Sequence, residues 1–236
     1  MMIFVLTSCT NKKKYSEADV RTVLKRNNLP MPTCDLNSES RYREALRDYV
    51  LPAFQMYQGS FRYIRELVNN YRARGDEVKL SIISARYGLI NGNAPIVPYN
   101  CTFKGLSEER IRQRGDELKV YENLARFLDQ NWFNQSVVIL GKDYLRTVLD
   151  EKRDINFFRR IETNQLTVFA SRTLKSKIPF PEKNLRFVAV SGIGDRNKKI
   201  KEFIARSRFQ TALLPDQNRK RRDPNRGESF SQGACC

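Results

Sequence analysis

Histidine is absent from all 236 residues. That omission removes Ser-His-Asp and Cys-His nucleophilic catalysis and any His-ligated metal site, so acid–base work falls to Asp, Glu, Lys, Tyr or Cys. Long apolar runs are missing too, and none approaches the ~20 residues of a membrane span. The opening "MMIFVLTSCTNKKK" puts its apolar stretch before its charges, the reverse of a secretory signal, and reads as the first strand of a cytoplasmic protein. Cysteine is scarce. Cys9, Cys34, Cys101, Cys235 and Cys236 show no zinc-type spacing, and an odd number in a cytosolic chain points to free thiols. Acidic residues are outnumbered, 26 against 43 Lys and Arg, for a net charge of +17. Such an excess suits a polyanion, nucleic acid before an anionic membrane surface. Hydrophobic residues at 40% still allow a core of ordinary size.

Strand-like and helix-like segments alternate. Met2–Ser8 reads as a strand, Ser16–Asn27 as a helix capped by Ser16, and 27–40 as loop. Arg41–Tyr57 has helical spacing with a break at Pro52. In Ser60–Arg74 the residues Phe61, Ile64, Leu67, Val68 and Tyr71 form one helical face, with Gly75 at its C-cap. Val78–Ser84 is a strand, followed by a long loop over 85–105. Ser107 caps a single helix to about Gln130, with Glu108 and Glu109 in its first turn. Ser136–Leu140 is a third strand and Lys142–Leu149 a short helix. Gln165–Ala170 and Leu185–Val190 are further strands, and Asp195–Arg206 is a last helix. The pattern predicts an α/β domain over 1–214, with a largely parallel central sheet covered by helices on both faces. The polar, basic stretch 215–236, with Arg219–Arg222, reads as a flexible tail.

In parallel sheets of this kind ligands bind beyond the carboxyl ends of the strands. Four strand ends are unusual. The first, "TSCTNKKK", offers Ser8, Cys9, Thr10 and Asn11 before Lys12, Lys13 and Lys14, either an anion or base pocket or a polar turn with solvated lysines. The second, "SARYGLINGNAPIVPYN", carries Ser84, Ala85, Arg86, Tyr87 and Gly88. Here Tyr87 is a stacking face for a base or a side chain packed under the loop. The third, "LGKDYL", places Lys142 for a phosphate and Asp143 as a water-polarising carboxylate or a plain N-cap. The fourth, "VSGIGDRN", has Gly192 and Gly194 opening a basic helix. It is a phosphate-binding turn, a hairpin of the helix-hairpin-helix type, or a tight connection that needs glycine for positive φ.

Taken in order, "TSCTNKKK", "AFQMYQGSF" (53–61), "IISARYGLI" (82–90), "IVPYN" (96–100) and "LGKDYL" (140–145) resemble a family built on S-C-S-x-x-K, A-x-x-L-Y-x-G-x-x-F, L-S-A-K-Y-G-L and P-Y-D. That family is similar to the YaaA peroxide-stress proteins and to the catalytic domain of archaeosine synthase, and in fold to the uracil-DNA glycosylase superfamily. The likeness spans about residues 1–206. It implies a nucleobase ligand within a nucleic acid, DNA first; no cofactor and no metal are expected. It further implies a DNA glycosylase that flips out and excises a modified base, such as glucosylated hydroxymethylcytosine in phage DNA. Carried over by position, Cys9 and Lys12 match S-C-x-x-K. Tyr57 and Gly59 match Y-x-G. Ser84, Ala85, Tyr87 and Gly88 match S-A-K-Y-G, with Arg86 where lysine is usual, and Tyr99 matches P-Y, with Asn100 in place of aspartate.

On this expectation Asp143, Asp195 and Asp35 are the carboxylates for the sugar side, and Lys12, Asn11 and Tyr87 donate to the base. Ser8, Thr10, Tyr57, Gly59, Ser84, Ala85, Gly88 and Tyr99 line the base pocket. Lys13, Lys14, Arg86, Lys104, Lys142, Lys175 and Lys177 hold phosphates. Two alternatives stand beside it: a base-modifying transferase with Cys9 or Lys12 as nucleophile, and a DNA-binding stress protein without catalysis.

Overall fold

The computed structural model describes residues 1–212, with side chains through Arg206. The tail expected over 215–236, with Cys235 and Cys236, lies outside the described residues. In chain order the elements are β1 (Met2–Ser8), α1 (Glu17–Arg26), α2 (Glu39–Ala45), β2 (Leu51–Pro52), α3 (Ala53–Met56), α4 (Phe61–Ala73), β3 (Glu77–Ser84), β4 (Gly88–Asn91) and β5 (Pro95–Ile96). Then come α5 (Glu108–Glu117), α6 (Val120–Asp129), β6 (Phe133–Ile139), α7 (Lys142–Leu145), β7 (Leu149–Asp150), β8 (Ile155–Asn156), β9 (Thr163–Ala170), β10 (Leu185–Ala189) and α8 (Ile193–Ala212).

Six strands form the main sheet in the order β10-β9-β6-β1-β3-β4. Every pairing in it is parallel except the β3–β4 hairpin. β1 lies at the centre because "MIFVL" is apolar at every position, which suits a strand buried on both faces. Its alternate side chains separate cleanly. Ile3 and Val5 enter one core, beneath α4 and α8, while Phe4 and Leu6 enter the other, beneath α6. The prediction of an α/β architecture with a largely parallel, doubly covered sheet holds. After β3 the chain crosses to the opposite side of β1 to lay down β6, so the topological switch point lies between the ends of β1 and β6, where such sheets bind ligands.

Three local expectations are corrected. The loop predicted from Ala85 begins as a hairpin: Ser84 pairs with Gly88 across a turn of Ala85, Arg86 and Tyr87. Ser84 Oγ accepts from the backbone N–H of Arg86 and of Tyr87, at 3.3 and 3.1 Å, which folds the turn locally. Gly88 has φ +70°, and an added Cβ there would lie 2.9 Å from the Leu118 carbonyl oxygen, so both conformation and space call for glycine. The single helix predicted from Ser107 is two, α5 and α6, divided where Lys119 turns left-handed at φ 49°. Third, Cys34 and Cys101, read as free thiols, are joined by a disulfide with their Cα atoms 5.1 Å apart. The fold brings together two loops 67 residues apart in sequence, a proximity that cysteine spacing does not encode. Cys9 remains free and buried. Among the described residues no helix is long and apolar enough to cross a membrane.

Candidate functional site

A cleft of ≈540 Å³ opens beyond the carboxyl ends of three neighbouring strands. Leu140 and Gly141 follow β6, Ala170 and Ser171 end β9, and Val190 and Ser191 follow β10. Leu145, Leu149 and Leu174 give it an apolar wall. Six cationic and three anionic side chains line it. The three carboxylates are all engaged. Glu108 pairs with Arg146 and, at 3.5 Å, with Arg112. Asp150 lies 3.2 Å from Arg112 Nε and 3.1 Å from Arg153 Nε, and Glu151 accepts from Lys177 at 3.0 Å. Lys142, Lys152 and Arg196 have no ion-pair partner among the described residues. The cleft therefore presents positive charge over an apolar wall, a combination suited to a ligand with an anionic group and a flat apolar part.

Beneath the ends of β1 and β3 lies a second, closed cluster. The Tyr57 and Tyr99 hydroxyls are 2.8 Å apart, Ser84 Oγ is 2.9 Å from the Tyr99 hydroxyl, and Cys9 Sγ is 3.0 Å from the Tyr144 hydroxyl. Tyr57 and Ser84 are fully buried and Tyr99 nearly so. Burial pushes the phenol pKa of Tyr57, Tyr99 and Tyr144 upward, keeping all three protonated. Lys13 Nζ sits over the Tyr99 ring and donates to the carbonyls of Thr10 and Asn11, at 2.8 and 3.3 Å. Its burial lowers the amine pKa to about 8, against the opposing pull of Cys9. Lys13 was expected at the surface holding phosphate. It is instead a core ammonium, with its charge met by carbonyls and aromatic faces.

Arg86, also expected on the DNA backbone, is completely buried. Its guanidinium donates to the carbonyls of Thr33 and Asp35 and, at 2.7 Å, to Glu39 Oε2. Tyr87 donates to Glu39 Oε1 at 3.0 Å and turns its edge to the Tyr99 ring. Burial raises the Tyr87 pKa to about 12. Arg114 bonds the Cys34 carbonyl beside the disulfide. The "SARYG" turn is thus an internal pin holding the 32–39 loop onto β3. Arginine suits this place because its planar fork reaches two carbonyls and a carboxylate at once, which an ammonium does not.

The structure brings Cys9, Tyr57, Ser84, Ala85, Tyr87 and Tyr99 into one neighbourhood, but as packed core. Ser8 and Thr10 line a narrow crevice of ≈10 Å³ together with Arg196. Thr10 Oγ1 donates to the carbonyls of Lys12 and Gln58, closing the turn after β1. Asn11, Lys12, Lys14 and Lys104 are exposed, and the Lys12 stem lies beside Gly59, whose φ is +66°. Lys142 and Lys177 line the cleft; Lys175 pairs with Glu182 at 3.5 Å. Asp35 is exposed and accepts from Asn37 N. Asp143 is part-exposed on α7 and pairs with Arg146 at 3.0 Å.

Asp195 accepts from the Ser191 N–H and hydroxyl and from Lys199, which holds its carboxyl below the usual range. The mouth of α8 is therefore capped by its own carboxylate, and neither Gly192 nor Gly194 has positive φ. Residues missed from the sequence are Glu39, Glu108, Arg112, Asp150 and Arg196. Of these only Arg196, in the first turn after a strand end, carried a positional signal. Among the described residues no group of three or more Cys, Asp or Glu could hold a metal ion.

Residues 43–173, more than half of the chain, match the model of a family of unknown function, DUF6884. The chain belongs to that family. No curated protein matches the chain. The matched stretch includes β3, β6, β9 and the α7 side of the cleft, and leaves Cys9, Lys13 and Arg196 outside it.

Proposed function

We propose that this DUF6884 protein is a DNA glycosylase that draws a modified nucleotide out of the duplex and cleaves its N-glycosidic bond in the cleft over β6, β9 and β10. One observation carries the reading: a cleft of nucleotide size at the carboxyl edge of a parallel sheet, lined by unpaired cations and an apolar wall. The net charge of +17 supports a polyanionic substrate. The uracil-DNA glycosylase-like fold belongs to the same proposal, as does a role against phage DNA carrying hypermodified bases.

In this reaction the bond from sugar C1′ to the base nitrogen breaks with its electron pair leaving on the base. Water adds to C1′, and its proton ends on the departing base. The oxocarbenium-like transition state needs a carboxylate on the sugar side and donors to the base. Glu108 lines the cleft and Asp143 lies beside it on α7; both pair with Arg146. Asp195 is committed to capping α8, so it is the weaker candidate for that role. The transferase alternative has less support, because Cys9 is buried against Tyr144 and Lys12 extends into solvent.

The test is abasic-site formation. DNA carrying glucosylated hydroxymethylcytosine, incubated with the protein and then treated with alkali, is expected to break at the modified positions. Intact strands at high protein excess across a panel of modified bases would remove the proposal.

A further inference from the structure

Arg196 lies in the first turn of α8, and its side chain stands between the ends of β1 and β6. It lines both the cleft and the crevice that holds Ser8 and Thr10. A Cβ placed on Gly141, just after β6, would be 3.9 Å from Arg196 Nη1. The guanidinium therefore lies close to the end of β6, beside the topological switch point. It has no partner there. Nε is buried without a hydrogen bond, and no carboxylate among the described residues pairs with the group. Burial alone lowers its pKa, with no acid opposing the shift. The neighbouring Asp195 is taken up by Ser191 and Lys199. Among the described residues the buried cations Arg86 and Lys13 are compensated, by a carboxylate, by carbonyls or by an aromatic face. A buried donor of a charged group, such as Arg196 Nε, is normally retained only where something compensates it.

We propose that Arg196, with the unpaired Lys142 just after β6, is a phosphate-binding subsite of the cleft. The planar fork of arginine matches two phosphate oxygens, and the ammonium supplies a second positive charge. The base and sugar of the same nucleotide unit then lie along the wall of Leu145, Leu149 and Leu174. This deepens the glycosylase reading and rests on it only for the molecule that carries the phosphate.

Isothermal titration calorimetry at fixed salt tests it, with deoxycytidine, deoxycytidine monophosphate and a short single-stranded oligodeoxynucleotide as probes. The wild-type protein is expected to bind a phosphate-bearing probe at least tenfold more tightly than the nucleoside. R196M is expected to lose at least tenfold for that probe, and R196K to fall between the two. R196M should melt no lower than the wild type without ligand, because it removes an uncompensated charge. Binding of the oligonucleotide alone assigns the subsite to a strand phosphate, and binding of the mononucleotide as well supports the same chemistry. Equal affinity of R196M and wild type, or no preference for phosphate in the wild type, overturns the subsite. If R196M does not fold, R196K affinity indistinguishable from wild type overturns it. Base release measured in parallel separates the two proposals. Phosphate-dependent binding without base release removes the glycosylase and leaves the subsite. Base release at equal rates in R196M and wild type removes the subsite and leaves the glycosylase.

Discussion

Lys13 Nζ lies 4.0 Å from the centre of the Tyr99 ring, an ammonium held under the end of β1 by an aromatic face and two carbonyls. The same ring system carries the Tyr57–Tyr99–Ser84 hydroxyl chain. The consecutive lysines 12–14 thus divide by position: Lys13 enters the core, and Lys12 and Lys14 stay in water.

The lowered amine pKa makes stability depend on pH in a defined direction. Between about 8, the folded value, and the ordinary lysine value of 10.5, the unfolded chain binds more protons than the folded one. Stability from this group is full above 10.5 and is lost as pH falls toward 8, by at most about 3 kcal/mol. Urea unfolding of wild type and K13M should give a stability difference that is constant below about pH 8 and shifts in favour of the wild type, by up to about 3 kcal/mol, between pH 8 and about 10.5. Parallel curves would contradict the placement of Lys13.

Buried Arg86 and part-buried Glu39 form an ion pair, 2.7 Å apart. Replacing Glu39 by Ala leaves a buried guanidinium with only carbonyls and is expected to cost about 3–5 kcal/mol. The double variant R86M/E39M should lose less than E39A alone. A double-mutant cycle by chemical denaturation reads both values, and additive single effects would show that the pair is not coupled.

The Cys34–Cys101 disulfide fastens the 32–39 loop beside that pair. Non-reducing peptide mapping should recover one cross-linked peptide holding both cysteines. Reduction, or the C34S/C101S variant, should lower stability by about 2–4 kcal/mol. Recovery of both residues as alkylated free thiols from protein purified without reductant would contradict the pairing.

How much of this was readable in the sequence depended on whether the signal was local. β1, β3, β9 and β10 were legible to within two residues because "MIFVL", "LSII", "LTVFA" and "RFVAV" are apolar runs with clear breaks. The start of α1 was legible from Ser16 as its N-cap, and the backbone N–H and hydroxyl of Ser16 both donate to Asp19. The β3–β4 hairpin was not, because its turn carries a charge and an aromatic ring satisfied by Glu39 and by the carbonyls of Thr33 and Asp35, far away in the chain. The break at Lys119 gave no glycine or proline to mark it. At the candidate site, the rule that ligands bind at strand ends pointed to the edge of the sheet where the cleft lies. It did not separate the side chains that reach the cleft, such as Lys142 and Lys177, from those that turn into the core, such as Tyr57, Arg86 and Tyr99. That division depends on packing between elements.

Turnover should divide the acidic residues by position. D143N and E108Q are each expected to lower single-turnover base release by at least tenfold with the fold intact, whereas D195N should act through the start of α8 and lower the melting temperature. Wild-type rates in both D143N and E108Q would remove them as the carboxylates on the sugar side.

Mass spectrometry of bases released from a panel of natural and hypermodified DNAs bears most directly on the central claim. The account predicts a free modified base, glucosylated hydroxymethylcytosine first, appearing in step with abasic sites and lost in the carboxylate variants. Release of no base from any DNA of the panel, by protein that binds those same DNAs, would contradict it.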